Sequence, residues 1–141
     1  MPFWFNKLPA NGRDLSWEAV RRLDEVVVMG YRTDYSELLE ITRPMLAAGE
    51  KLGKPVMLGI ELMPVADELR DVLTRVPAYS PGALPLGGVY WKKMRSYTVP
   101  GSRLSFALNH NEVPVMLKKI PPFSSFKGWV LHSVEGLEQL P

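Results

Sequence analysis

Three short apolar segments that end in polar residues constrain the fold of this chain more than any other feature. They cover residues 25–30 (EVVVMG), 55–62 (PVMLGIEL) and 128–133 (GWVLHS). Each segment is apolar at nearly every position instead of at alternate positions, which is typical of parallel strands covered on both faces. Helical patterns lie between the segments. Strands that alternate with helices predict an α/β fold in which right-handed crossovers join parallel strands.

Four segments are predicted to be helical, at residues 16–23, 36–52, 65–76 and 111–120, and residues 134–141 are predicted to add one or two helical turns at the C-terminus. Ser16 is expected to cap the first helix, because its hydroxyl can accept a hydrogen bond from a backbone N–H of the first turn. Pro44 is expected to interrupt the second segment, so that a turn leads into a new helix capped near Thr42. The third segment carries apolar residues at helical spacing from Val65 to Val76.

The composition fits a single domain with its own hydrophobic core. The chain has 141 residues, of which 46% are hydrophobic, so one domain over residues 1–141 is expected. Residues 77–101 contain four prolines and four glycines, and they are expected to form a long loop. Loops of that length inside compact domains are usually functional or disordered.

Several chemistries are excluded by what the sequence lacks. It contains no cysteine, so thiol catalysis, disulfides and cysteine-ligated metals are ruled out. Its two histidines, His110 and His132, do not have the spacing of metal ligands, and neither a metal nor a cofactor is expected. The net charge of +2 does not favour nucleic acid or an acidic membrane as a partner. No apolar segment reaches the ~18 residues that a membrane span needs.

The polar residues at the strand ends are the candidate functional groups. Glu61 ends the second apolar segment and is the candidate catalytic residue, as a nucleophile or a base; the alternative is a structural ion pair with Arg32. Tyr31 and Arg32 follow the first segment and are candidate ligand contacts; only one of them can point into a barrel, unless the strand has already ended before them. His132 can orient a substrate or shuttle a proton, or it can bond to backbone. In parallel α/β folds, ligands bind at this carboxyl edge.

Residues 87–101 mix aromatic and basic side chains, and Trp91 is the candidate ligand contact among them. The pattern suits a lid that stacks on a saccharide, a surface for single-stranded nucleic acid, or plain packing of a long loop. Nucleic acid is not the expected partner, since the rest of the chain is not basic.

The segments PFWF, DEVVVMGYR, GKPVMLGIEL and FKGWVLHSVEGLEQL together resemble the C-terminal part of a (β/α)8-barrel glycoside hydrolase. The resemblance is to the chitinase-like family 18 enzymes or an uncharacterised barrel relative, and it runs from about strand five to strand eight. Met29 and Tyr31 match the sixth-strand motif, Arg32 stands where that family has aspartate, and Trp129 lies on the eighth strand. The family's proton donor follows strand four, for which this sequence has no segment.

The resemblance implies a carbohydrate-active, glycoside hydrolase-like protein that is incomplete as an isolated chain. The rival interpretation is a non-catalytic binding or assembly module that uses the strand ends and residues 87–101. A saccharide or another small polar ligand is the expected partner, together with a homo-oligomer or a second protein that supplies the missing half-barrel, because exposed sheet edges associate. If Met1 is the native start, the cytoplasm is the expected location.

Overall fold

The computed structural model describes residues 1–86, 88–138 and 140, and these form two compact units. Unit 1 consists of the described residues of 1–65 and 102–141, and unit 2 consists of the described residues of 66–101. The last helical turn predicted at the C-terminus extends to two residues outside the described part, Gln139 and Pro141. The predicted loop at 77–101 includes a third, Gly87.

The elements of both units, numbered along the chain, alternate less regularly than the sequence predicts. In unit 1 they are β1 (Pro9–Ala10), β2 (Arg13–Asp14), α1 (Leu15–Arg22), β3 (Val26–Met29), α2 (Tyr35–Leu52), β4 (Val56–Glu61), α3 (Val113–Leu117), β8 (Phe126–His132) and α4 (Val134–Leu137). In unit 2 they are β5 (Glu68–Val76), β6 (Ala83–Leu86) and β7 (Val89–Val99). Short 3₁₀ helices cover Phe3–Lys7, Gly101–Arg103 and His110–Glu112.

A three-stranded parallel sheet organises unit 1. Its strand order is β3-β4-β8, and Leu58 at its centre is in register with Val28 on one side and Trp129 on the other. The backbone of Met1 lies along the outer edge of β3, where its carbonyl accepts a hydrogen bond of 2.8 Å from the Met29 amide. The three apolar segments of the sequence therefore do form adjacent parallel strands.

Helix α1 begins earlier than predicted. The cap is Asp14, whose side chain accepts a hydrogen bond of 2.8 Å from the Trp17 amide. Ser16 lies inside the first turn and donates its hydroxyl to the same carboxylate. Asp14 also ends β2, which the Asn11-Gly12 turn pairs with β1, so the hairpin delivers the cap at the start of the helix.

Helix α2 is continuous, and the predicted break at Pro44 is wrong. The proline removes only one N–H from the helix ladder. The carbonyl four residues before Pro44 therefore lacks its helical partner. Because Pro44 lies on the exposed side of α2, that carbonyl can bond to water instead. Thr42 is not a cap: it is fully buried, and its hydroxyl donates a hydrogen bond of 2.7 Å to the Leu38 carbonyl one turn earlier. The helix is capped by Asp34 at its start and by Gly53, which has a left-handed conformation, after its last residue.

The hydrophobic core of unit 1 lies between the sheet and its helices. One cluster joins the sheet to α1 and α2, and its fully buried members are Val20, Val28, Met45, Leu46, Val56 and Leu58. A second cluster lies nearer the carboxyl ends of the strands and includes Leu38, Ile60, Leu62, Phe106 and Val113. Alternate residues of β4 thus carry the core, which leaves the side chain of Glu61 on the other face of the strand.

Gly49 in α2 is expected to be intolerant of a side chain. A Cβ atom there would lie 2.6 Å from Val56 Cγ2 and 2.8 Å from the Lys54 carbonyl oxygen. We expect Gly49→Ala to destabilise unit 1 by about 1–3 kcal/mol through overpacking, although alanine in an open helix would stabilise by about 1 kcal/mol. Urea unfolding midpoints measure the change. The exposed Lys51→Ala in the same helix is the control, with an expected change within about 0.5 kcal/mol; a stabilised Gly49→Ala variant would contradict this packing.

Unit 2 is a three-stranded antiparallel sheet with the order β5-β7-β6. The helix predicted over 65–76 is wrong, because most of that segment is β5. Its apolar residues fit a helical spacing, but Val72, Thr74 and Val76 are β-branched, and the whole of β5 pairs with β7. The segment 77–101, predicted as a loop, holds β6 and β7 instead.

The predicted fold class and the barrel resemblance are both wrong. A (β/α)8 barrel requires a helix in each crossover between parallel strands. Here the chain segment that connects β4 to β8 forms an antiparallel sheet and short helices instead. Among the described strands, only β3, β4 and β8 pair in parallel. The structure is a small mixed α/β arrangement, and no segment from strand five to strand eight of a barrel is present in it. The homo-oligomer was expected because a half-barrel would leave sheet edges exposed. Without a half-barrel, that reason no longer applies.

Candidate functional site

The carboxyl ends of the three parallel strands bring polar side chains together. Glu61 is the last residue of β4 and His132 is the last residue of β8, and the two are direct neighbours in register. Their side chains meet, with 2.5 Å between His132 Nδ1 and Glu61 Oε2. Tyr31 follows β3 by two residues, and the centre of its ring lies 5.7 Å from the centre of the His132 ring. The site is therefore a carboxylate–imidazole pair beside a tyrosine.

Both carboxylate oxygens of Glu61 are occupied. Oε1 accepts hydrogen bonds from the backbone amides of Leu62, at 3.0 Å, and Met63, at 2.9 Å, while Oε2 contacts His132. The Glu61 side chain is only 7% exposed. Its backbone carbonyl accepts a hydrogen bond of 2.9 Å from the Phe106 amide, which holds the end of the strand in place. The carboxylate is fixed in one position and directed at the imidazole.

His132 is the exposed member of the pair. Its side chain is 59% exposed, in contrast to the buried carboxylate. A carboxylate only accepts hydrogen bonds, so Nδ1 of His132 carries the hydrogen of this contact. In the neutral ring, Nε2 then has the free lone pair and can take a proton from a ligand or from water. The same relation between a buried carboxylate and a histidine sets the tautomer in catalytic triads.

Tyr31 reaches the pair through an unusual backbone conformation. Its φ is 41°, in the left-handed region that non-glycine residues seldom adopt. Gly59 of β4 lies next to the ring, and a Cβ atom at that position would be 3.7 Å from Tyr31 Cε1. Burial, and then the negative charge of Glu61, raise the pKa of Tyr31. A phenol of ordinary pKa 10.0 is already protonated at neutral pH, and the raised pKa of Tyr31 extends that range upward, so the hydroxyl can donate a hydrogen bond.

We expect Glu61→Gln to lower the pKa of Tyr31 toward its ordinary value of 10.0, because the substitution removes the charge of Glu61 but not the burial. Ultraviolet titration of phenolate, with Tyr31→Phe to identify the signal, measures this. Tyr35 is the control, since burial alone raises its pKa. Because folding raises the pKa of Tyr31, its stabilising contribution is complete below about pH 10 and is lost as the pH rises through the folded-state value. An unchanged Tyr31 titration in Glu61→Gln would contradict the proximity of the two groups.

The side chain of Arg32 is buried and does not point toward the Glu61–His132 pair as the side chain of Tyr31 does. Its guanidinium donates hydrogen bonds to the carbonyls of Tyr31, at 2.7 Å, and Gly30, at 3.3 Å, and its Nε lies 3.8 Å from Glu37. The guanidinium also lies over the ring of Phe3, 5.2 Å from its centre. These contacts brace the turn that follows β3. Of the two neighbours, Tyr31 is the one next to the Glu61–His132 pair.

Other residues near the strand ends have structural positions. Two carboxylates belong to helices: Asp34 caps α2 by accepting a hydrogen bond of 2.9 Å from the Glu37 amide, and Glu135 lies in the first turn of α4. Trp129 packs edge to face on Phe126, with 5.4 Å between ring centres, and is partly buried against the core. Trp91 lies on β7 in unit 2.

Sequence reasoning missed two parts of the site. The backbone amides of Leu62 and Met63, which hold the carboxylate, leave no side-chain signal in a sequence. The partnership of Glu61 with His132 depends on β8 being the neighbour of β4 and on the register of the last pair. The available signal was the polar residue at the end of each of these strands. It indicated that the site lies at the carboxyl edge of the sheet, but it did not indicate that Glu61 contacts His132.

The arrangement does not include a metal centre: within residues 1–86, 88–138 and 140, no three His, Asp or Glu side chains are grouped as metal ligands would be. Across the same residues, no helix combines the length and the hydrophobicity that crossing a membrane requires. No known protein family, curated protein or solved structure matches this chain. The fold and the site therefore define a mixed α/β protein in which a histidine at the edge of a parallel sheet is hydrogen-bonded to a buried carboxylate.

Proposed function

We propose that unit 1 is a carbohydrate-active hydrolytic unit in which His132 transfers protons to or from a small, hydroxyl-rich ligand at the carboxyl edge of the parallel sheet. The observation that carries this proposal is the 2.5 Å contact between His132 and a Glu61 side chain that is 7% exposed. A buried carboxylate that orients an exposed imidazole is an arrangement suited to general acid–base catalysis.

In this proposal Glu61 is a positioning residue. A retaining glycosidase needs a carboxylate that is free to attack the sugar and a second carboxyl group on the other side of the bond. Both oxygens of Glu61 already accept hydrogen bonds, and the side chain that meets its carboxylate is an imidazole. Water activated by His132 is therefore the nucleophile that the geometry supports.

Tyr31 supports a saccharide as the ligand class. Its ring offers an aromatic face beside the exposed imidazole, and its hydroxyl, which is protonated at neutral pH, can act as a donor. A protonated phenol and an imidazole together can donate to and accept from sugar hydroxyls. The bound ligand would place one hydroxyl or one water within hydrogen-bond reach of Nε2 of His132, which is the geometry that proton transfer requires.

A second candidate function is binding of the same ligand without turnover. It is favoured by the contacts of Glu61, which include an imidazole and two backbone amides but no second carboxyl group among the described residues. Without a second acid, departure of a poor leaving group would lack a proton donor other than His132 or Tyr31.

A titration with labelled imidazoles tests the proposal and separates the two functions. Mono- and disaccharides and nitrophenyl glycosides are added while the NMR signals of both histidines are followed. We expect the His132 signals to shift and those of His110, the internal control, to stay in place. Release of nitrophenol identifies hydrolysis, whereas a His132 shift without release identifies binding alone. If no saccharide shifts the His132 signals, the proposed ligand class is wrong.

A further inference from the structure

Strand β7 places two basic residues, flanked by two tyrosines, on one face of unit 2. Side chains directly opposite each other in an antiparallel pair share a face. The register pairs Arg70 with Tyr97, Val72 with Arg95, Thr74 with Lys92, and Val76 with Tyr90. We call the face that carries these pairs the tyrosine–cation face. A loop would not align these residues, but the strand does.

Two of the three cations of this face, Lys92 and Arg95, are not neutralised within unit 2; the third, Arg70, pairs with Glu68. Residues 66–101 contain five Lys or Arg residues and three Asp or Glu residues. All three carboxylates are occupied: Asp67 accepts a hydrogen bond from the Gly101 amide, Glu68 pairs with Arg70, and Asp71 pairs with Lys93. The side chains of Lys92 and Arg95 are exposed and make no hydrogen bond or ion pair with any residue that the structure describes.

The two tyrosines flank these cations along β7. Tyr97 is 46% exposed, and Tyr90 is partly exposed and meets Tyr79 edge to face, with 5.9 Å between ring centres. Tyr90 and Lys92 are same-face neighbours on β7, as are Arg95 and Tyr97, so each tyrosine lies about 6.6–6.8 Å from its basic neighbour along the strand. A register shift between Val72 and Leu73 marks a bulge, which adds one unpaired residue on β7 between Lys93 and Arg95.

The opposite face of the sheet has a different character. There Asp71 bonds both Lys93, at 2.8 Å, and Ser96, at 2.6 Å, in a closed polar cluster. That face also carries one cation without an ion pair among the described residues, Arg75, which lies opposite Trp91. Unpaired positive charge with tyrosine on both sides is thus specific to the tyrosine–cation face.

We infer that the tyrosine–cation face binds single-stranded nucleic acid. Lys92 and Arg95 contact backbone phosphates, and Tyr90 and Tyr97 stack on bases, which is how sheet-based single-strand binders combine charge and aromatic rings. Such contacts are tolerant of sequence, because every base has a face on which to stack. The near-neutral charge of the whole chain had argued against nucleic acid, but the structure concentrates the unpaired charge on one surface.

Fluorescence anisotropy of the full chain with a labelled, mixed-sequence DNA 12-mer tests the inference at several salt concentrations. We expect binding that weakens as salt rises, and a shallower salt dependence for Arg95→Gln, since each phosphate contact adds to the slope. Tyr97→Leu should weaken binding at least about fivefold through lost stacking. Arg75→Gln is the matched control, because it removes one unpaired cation from the opposite face.

Three results would overturn the inference. The first is no binding of the DNA 12-mer at low salt. The second is an equal effect of Arg75→Gln and Arg95→Gln, which would show attraction by net charge alone. The third is a Tyr97→Leu variant that binds DNA as the unaltered chain does, together with equal binding of an acidic polysaccharide, which would identify a surface for polyanions in general. Circular dichroism of each variant confirms that the sheet is retained.

Discussion

His132→Asn is expected to lower kcat/KM on nitrophenyl glycosides by about 10²–10⁴-fold, the range that general acid–base groups contribute. Asparagine is the informative substitution because its amide can donate to Glu61 from nearly the position of Nδ1. The buried carboxylate therefore keeps a partner and the fold is retained, while the titratable Nε2 is lost. His110→Asn is the matched control, and its kcat/KM is expected to stay close to that of the unaltered chain.

Glu61→Gln completes this test. We expect its kcat/KM to lie between that of the unaltered chain and that of His132→Asn. Glutamine can still accept from the amides of Leu62 and Met63, but it no longer fixes the imidazole as a carboxylate does. His132 then remains present and less well oriented. Hydrolysis that is unaffected by His132→Asn, or that falls equally in His110→Asn, would contradict proton transfer by His132.

Leu58→Ala is expected to destabilise the protein by about 2–5 kcal/mol, the range for large-to-small changes in a packed core. Leu58 is 0% exposed and lies in the central strand of the parallel sheet, in register with Val28 and Trp129. Truncation removes apolar contacts and leaves a cavity that three hydrogen-bonded strands cannot close. Since domains of this size have about 5–15 kcal/mol of stability, the loss is a large share of the total.

The control for this prediction is the same substitution at an exposed position of unit 1. Leu108 is 80% exposed, and Leu108→Ala is expected to change the free energy of unfolding by no more than about 0.5 kcal/mol. Urea unfolding followed by tryptophan fluorescence measures both variants. Equal midpoints for Leu58→Ala and Leu108→Ala would show that the β3-β4-β8 sheet is not the core of the fold.

The parallel strands were predictable because their signal is local. Val26–Met29 and Val56–Glu61 are apolar at almost every position, and such runs are buried in any fold that the chain adopts. The strand β5 was not predictable in the same way. Its apolar residues also fit a helix, and the choice between helix and strand is made by pairing with β7, which lies about twenty residues further on. The barrel prediction failed there and at residues 77–101, where β6 and β7 complete the antiparallel sheet.

The sequence predicted that the candidate site lies at the carboxyl edge of the parallel sheet. It did not predict that Glu61 and His132 meet there. Polar residues after Met29, at Glu61 and at His132 indicated the carboxyl ends of neighbouring strands. Which of them meet depends on strand order and on the conformation of the last residues. Tyr31 adopts a positive φ and lies beside His132, while Arg32 turns to the Glu37 side of the turn. No periodicity in the sequence encodes that choice, because it follows from the backbone after the strand has ended.

The tautomer of His132 tests the central claim most directly, and long-range ¹H–¹⁵N NMR of the neutral imidazole measures it without any substrate. The contact with Glu61 Oε2 predicts that the hydrogen resides on Nδ1, with Nε2 unprotonated and available. His110 supplies the opposite case, because its Nε2 lies 3.4 Å from the Leu62 carbonyl and is expected to carry the hydrogen. Glu61→Gln should abolish the fixed preference of His132 and leave His110 unchanged. A neutral His132 that carries its hydrogen on Nε2 would contradict the proposed site.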